Sequence, residues 1–465
     1  MTFDERLARI RAAMSRNGID LLIGVHDGAH FIEKPNPVMV LAGFKSLGAA
    51  AAVIERDGGG QLIVGPRWDR ERAAEQCPGL HVTGTDNMAA GLIQALESSG
   101  AARGKTVGIA GLSALPSVLA QQLAGSLRGA RNADEMLFDC AEAKTVEEIA
   151  HAREATRIAE LGYERLLEIA KPGVSEDELA VEVRWHSKSL GAEDNFLLLC
   201  GSPHNRAVQP STGRRLAEGD IIVVEITPSY RGQLAQICRT IVLGKPSDTL
   251  VEKYALVTEA MNLGMRAAVP GVAMAEVCGA INRRLESGGY AEYCHPPHIR
   301  RRGHGLGFAS VRPGDVALDN DTILKPGMVF MIHPNQYLPE TGYLLCGEPV
   351  IMTDRGAEPL TRRQATLAES ARASSRKVGT GFRKRSCFTN NRECDDERSH
   401  NHHALKARLW TRCIQPCWSG RPIGIRRRCR APNSTRAWRR CGAPSRTRRA
   451  RSSMAVRATM PSSPG

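Results

Sequence analysis

Aromatic residues make up only 5% of this 465-residue chain, so a core has to rest on Leu, Ile, Val and Ala rather than on stacked rings. Long apolar runs are missing as well. Nothing approaches the roughly 18 consecutive apolar residues that a membrane span needs, which argues against a membrane protein. The opening MTFDERLARIRAAM interleaves acids with bases and has no apolar stretch, so it does not read as a signal peptide, and the cytoplasm is the expected location. No GxGxxG follows a strand pattern and no Walker-type loop occurs, which leaves nucleotide binding without support. Paired cysteines are lacking too. Seven of the 13 cysteines are scattered through the body (Cys77, Cys140, Cys200, Cys238, Cys278, Cys294, Cys346), and an odd, widely spaced set reads as free thiols rather than disulfides.

What is present is ordinary for a globular chain of two or three domains: 42% apolar and 24% charged residues. The net charge of +14 suggests a nucleic-acid binder until its location is examined. From residue 371 onward there are 24 Lys/Arg against 4 Asp/Glu, a net of +20, which leaves the body at −6. The basic balance therefore says nothing about the partners of the folded part. The tail has no hydrophobic period of 3.6 or 2, and it mixes Arg, Ser, Pro, Cys and Trp as a misread frame of a GC-rich gene would. It reads as a non-native, disordered extension; the alternative is an arginine-rich arm for RNA or DNA. His402 and His403 with Cys394 and Cys413 lack zinc-ligand spacing.

Two blocks precede the tail. Residues 1–138 alternate helix and strand signals: DERLARIRAAMSRNG as an amphipathic helix, IDLLIGV as a buried strand, AAAAVIERDGGGQLIV as a hairpin, then TVGIAGL and LPSVLAQQLAGSL, an α/β layer pattern. The second block, 139–365, opens on a long helix with Thr145 as cap and Glu148 three residues on. Pro172-Gly173 ends it, and Ser175 caps the next helix. Strand-like NFLLLCGS and DIIVVEITPSYRGQLAQICRTIVLG follow, the latter turning near Arg231-Gly232. Two more helices lead to the β-rich runs GHGLGFASV, GMVFMIHPNQYL and GYLLCGEPVIMT.

The landmarks KPGVSEDELA, EGDIIVVEITPSYRGQLAQICRT, RGHGLGF, LKPGMVFMIHP and GEPVIMTDRGAEPLT, in that order, resemble the pita-bread superfamily of aminopeptidase P, prolidase, methionine aminopeptidase and creatinase. The resemblance covers about residues 1–365. It implies an α/β N-terminal domain (1–138) and an α+β pita-bread catalytic domain (139–365), followed by the tail (366–465). It also implies a homodimer acting on a small-molecule substrate, and a hydrolase of C–N bonds.

In the two-metal members, carboxylates bridge two mutually repelling ions. The five ligand positions fall here on Glu225, Gln236, His304, His333 and Gly347. Only His304 is of the family type, so a dinuclear site is not expected. In creatinase, the metal-free member, the catalytic positions correspond to Val208, Cys238 and His333, so that template is not reproduced either. The expected pocket holds Glu225, Gln236, Cys238, His304 and His333, with His204, Tyr337 and Glu348 nearby, and one of Arg300, Arg301 or Arg302 (chiefly Arg302) to clamp a carboxylate.

Three readings follow. A metal-independent hydrolase would use an imidazole of His304 or His333 as base, Glu225 as its partner, and Gln236 to polarise the scissile carbon. Alternatively His304, His333 and Glu225 hold one divalent metal in a prolidase-like site, with no other cofactor implied. The third reading is a binding protein on a catalytically silent scaffold. Each residue also has a plain alternative: His304 and His333 as packed core histidines, and Cys238 as a small buried hydrophobe.

Overall fold

The computed structural model describes residues 2–101, 104–310 and 312–370, side chains from residue 5 on; the expectations attached to the basic tail lie outside the described residues.

The N-terminal half is built on one six-stranded sheet. Across it run His81–Gly84, Gly60–Val64, Ala50–Glu55, Leu21–His26, Val107–Ala110 and Arg131–Asn132, with antiparallel pairing among the middle three and parallel pairing outward. Strand alternation sorts the apolar residues to two faces. Leu22, Ala52 and Ile54 face a core shared with Ile10 and Met14 of the helix Thr2–Asn17. Ile23, Ala51 and Val53 face Leu92 and Leu96 of the helix Met88–Ser98. The hairpin predicted at 50–64 is present. The expected boundary at 138 falls inside the helix Asp134–Cys140, whose Leu137 and Phe138 belong to the N-terminal core, so the chain leaves this half near Ala141.

In the second half, Thr145 and Ser175 each close a capping box with the Glu three residues on, starting the helices Val146–Ile169 and Glu176–Ser189 as the sequence predicts. These helices cover the even-numbered face of the strand Ile221–Tyr230: Ile222, Val224 and Ile226 pack with Ala159, Leu166, Leu179 and Val183. The hairpin turns at Arg231 (φ 45°) and Gly232 (φ 78°), a two-residue loop with both central residues left-handed, as a type I′ turn requires. The strand Ile237–Val242 then returns antiparallel.

A second sheet runs Gly303–Gly305, Val329–Ile332, Glu348–Thr353 and Gly356–Pro359. It is backed by the helices Asp248–Ala267 and Met274–Leu285. The β-rich runs are interrupted here. Pro334, which has no N–H to give a ladder, separates Val329–Ile332 from Gln336–Leu338, and residues 345–347 separate Gly342–Leu344 from Glu348–Thr353. The two sheets are stitched where Cys238 and Gly347 exchange backbone hydrogen bonds (3.4 and 3.1 Å). Ala368–Glu369 adds a parallel edge strand, so the folded body continues past the expected end at 365.

Candidate active site

The site lies at that seam. On the strand Ile221–Tyr230 the odd-numbered side chains Glu225 and Thr227 point away from the helix-covered face. Cys238 lies directly opposite Glu225 across the hairpin, and its thiol is 3.8 Å from Glu225 Oε1. Gln236 reaches Thr227, its Nε2 donating to the hydroxyl at 3.1 Å. From the second sheet come His304, in Gly303–Gly305, and His333, just after Ile332; their rings stand edge to face with centroids 5.3 Å apart.

Every nitrogen of His304 is already engaged. Nε2 meets Gln236 Oε1 at 3.0 Å, and Nδ1 meets the Ser310 hydroxyl at 2.9 Å. These contacts form a hydrogen-bonded chain Ser310–His304–Gln236–Thr227, and the Gly305 carbonyl also lies 3.0 Å from His304 Nδ1. Burial, reinforced by the nearby Arg301 guanidinium, lowers His304 to about 4, so the ring is neutral. His333 is held neutral even more firmly, by burial and by His304. Its Nδ1 is buried without a partner.

Glu225 is the one carboxylate among the five ligand-equivalent positions. Its hydrogen-bond partners are the Asn335 amide (3.3 Å) and the Cys238 thiol, not a guanidinium or ammonium group. Burial pushes its carboxyl up to about 7, against the pull of Arg301, Cys238 and Asn335. The Cys238 thiol is driven well above its usual range, by burial and by Glu225, so it sits here as a neutral donor and not as a nucleophile.

A pair of metal ions does not fit these residues. Gln236 is neutral and spends its carbonyl on His304. A Cβ at Gly347 would lie 2.6 Å from His333 Cβ and 2.6 Å from Met331 Cε, so no acid can project there as the chain is packed. For a single ion, His304 would have to give up Gln236, and among the described residues no three His, Cys, Asp or Glu side chains converge as an ion requires.

The remaining expected residues are placed elsewhere. Arg302 is 1% exposed; its Nε and Nη1 bond Asn282, Gln336 and the carbonyls of Pro334 and Asn335, and its Nη2 is buried without a partner, so it is an internal strut rather than a substrate clamp. Arg301 pairs with Asp315 and with Glu33 of the N-terminal half, and Arg300 is largely exposed. Glu348 faces the opposite side of the sheet and pairs with Arg239 at 3.1 Å. His204 is exposed and bonded to the Pro339 carbonyl; it joins Tyr337 (5.8 Å) in an aromatic group with Tyr293 and His298. Asn335, Thr227 and Ser310 were not anticipated. Strand alternation pointed to two of them, since Thr227 and Asn335 stand two residues beyond Glu225 and His333.

Comparison with known proteins bears on this geometry. The model of metallopeptidase family M24 matches residues 150–356. The Xaa-Pro dipeptidase of Pyrococcus furiosus is 27% identical over 368 residues, spanning 78% of this chain and 99% of that one. The prolidase structure from Pyrococcus horikoshii superimposes with a TM-score of 0.67 at 25% identity, covering 78% of this chain and 99% of that one. The Xaa-Pro dipeptidase structure from Bacillus anthracis gives 0.68 at 24% identity, covering 79% and 99%, and shows the shared fold.

Proposed function

We propose that this chain, which resembles metallopeptidase family M24 over residues 150–356, hydrolyses a C–N bond of a small peptide-type substrate without a dinuclear metal centre, with Glu225 as the proton-transfer group. The similarity to Xaa-Pro dipeptidases supports the bond type. The observation that carries the rest is the environment of Glu225: a carboxyl near half-protonation at neutral pH, held by an amide and a thiol instead of a cation. A group with such a pKa can both take and return a proton at neutral pH. The carboxylate takes a proton from water as the water oxygen bonds to the carbonyl carbon. The carboxyl then returns that proton to the nitrogen as the C–N bond breaks, releasing an acid and an amine.

In this reading His304 does not act as the base, because both its nitrogens are spent. His333, neutral and with a free buried Nδ1, is the imidazole left to hydrogen-bond substrate or water. The homodimer implied by the resemblance, and the cytoplasmic location expected from the sequence, belong to the same reading.

The test is turnover of dipeptides, N-acyl amino acids and cyclic amidines by the full chain, with and without chelator. The expected result is a chelator-insensitive rate that rises with pH through about 7 and falls at least about 100-fold in Glu225→Gln. A rate that needs an added divalent ion, or one unchanged by Glu225→Gln, overturns the proposal. Silence across the whole panel favours the binding-protein reading, to which the self-satisfied Ser310–His304–Gln236–Thr227 chain already lends support.

A further inference from the structure

A cavity of about 260 Å³ opens where the loop after the strand Leu21–His26 meets the start of Asn195–Ser202 and the far end of Ile221–Tyr230. None of Glu225, His304 or His333 lines it. Its size is just below the ~300–1,000 Å³ typical of sites for drug-sized ligands, which suits a molecule of amino-acid size.

The walls are built with unusual polarity for a domain junction. His26 is 2% exposed, and its Nδ1 accepts the Gly28 N–H at 3.0 Å, which puts the proton on Nε2. That Nε2 has no partner. The neighbouring His30 cannot supply one: its Nε2 bonds the Ser46 carbonyl (2.8 Å), and its Nδ1 takes the Asn36 amide (3.2 Å). A buried donor left unpaired costs about 1–3 kcal/mol, so the arrangement favours an acceptor arriving from outside. Lys34 lines the same cavity and adds positive charge, tempered by its pairing with Asp27.

The opposite side carries the reverse charge. Among the described residues, the only hydrogen bond that the Glu193 carboxylate accepts is from the Gly232 N–H (2.8 Å); the Lys188 ammonium bonds its backbone carbonyl (3.2 Å), not its carboxylate, whereas the adjacent Asp194 is neutralised by Lys45. Thr227 and Ser229 offer hydroxyl oxygens beside it. Between the two poles lie Phe31 and Phe196, edge to face at 5.3 Å, with Phe308 and Met39. Aromatic faces of this kind accept both an apolar side chain and an ammonium group.

We propose that this cavity binds a small zwitterion with an apolar side chain, a free amino acid or a dipeptide, its carboxylate on the His26 and Lys34 side and its ammonium group on Glu193. The site stands apart from Glu225 and does not depend on turnover there. It is nevertheless in touch with it, because Thr227 in the cavity wall is the last member of the hydrogen-bonded chain that begins at Ser310 and passes through His304.

Titration calorimetry on the full chain tests this with L-phenylalanine, L-proline and glycyl-phenylalanine. Phenethylamine and 3-phenylpropanoate serve as analogues that each keep one charge. The zwitterions are expected to bind saturably, with Kd between about 1 μM and 1 mM, and each single-charge analogue at least about tenfold more weakly. Glu193→Gln keeps an oxygen for the Gly232 N–H and is expected to weaken phenylalanine about tenfold. Lys34→Met is a second variant, on the opposite wall, with the same expected direction should the first unfold. Tighter binding of the free amino acid or of the dipeptide identifies which of the two is the natural occupant. No saturable heat up to about 10 mM, or phenethylamine binding as well as phenylalanine, overturns the proposal. So does loss of binding in Glu225→Gln, which places the ligand in the catalytic centre instead; absence of turnover leaves the proposal untouched.

Discussion

Two carboxylates lie on opposite sides of one seam, one fully buried and one partly exposed, and they are treated in opposite ways. On the back, Glu348 is fully buried and paired with Arg239, and it also accepts the Ala365 N–H (2.6 Å) and the Thr361 hydroxyl. Arg239 in turn bonds the carbonyls of Cys238 and Gly347, the two residues that stitch the sheets. On the front, Glu225 has only an amide and a thiol. The back uses a carboxylate to fix the joint between sheets; the front leaves one under-compensated, with its carboxyl near neutrality. Polarity inside a core is costly unless it is paired or put to use, and the two sides illustrate the two outcomes.

The sharpest way to break this contrast is at the back. Arg239→Met leaves Glu348 buried and unpaired, and unfolding in urea is expected to show a loss of about 3–5 kcal/mol. The double variant Arg239→Met, Glu348→Leu is expected to recover most of it. A single variant as stable as the parent would mean that the pair does not brace the seam. Gly347→Ala comes next. Its new Cβ meets His333 Cβ and Met331 Cε at 2.6 Å, an overpacking expected to cost about 1–3 kcal/mol in the same assay.

The smallest effect is that of pH on the front. Glu225 has a folded pKa raised from 4.5 to about 7, so its contribution is fully present below 4.5 and is lost as pH rises to about 7. Glu225→Gln is therefore expected to match the parent Tm near pH 4.5 and to exceed it, by about 2 °C or more, at pH 8. His304 runs the other way: its folded pKa is depressed from 6.5 to about 4, so its contribution is present above 6.5 and lost as pH falls toward 4. A Tm gain from Glu225→Gln that is equal at pH 4.5 and pH 8 would contradict the assignment of the raised carboxyl.

Much of the architecture was legible in the sequence because its signals are local. The capping boxes at Thr145 and Ser175, the hairpin at 50–64 and the turn at Arg231-Gly232 each follow from a few neighbouring residues. The five ligand-equivalent positions could be placed by order along the chain, and Glu225, Gln236, His304 and His333 do come together. What spacing could not give was direction and partnership. Glu348 stands one residue past Gly347, and a single step along a strand turns a side chain to the other face. Arg302 sits in a run of three arginines that look alike in sequence, yet packing buries only the third. The loop His26–Asn36 carries no local signal of a site; its polar residues become a cavity wall only with the second half packed beside them.

Gly347 constrains any redesign of the seam. It is one half of the stitch between sheets, with His333 and Met331 filling the room a side chain would need. An acid cannot enter there first. The side chains at 333 and 331 have to shrink or shift beforehand, so the order in which substitutions can be made around this glycine is constrained.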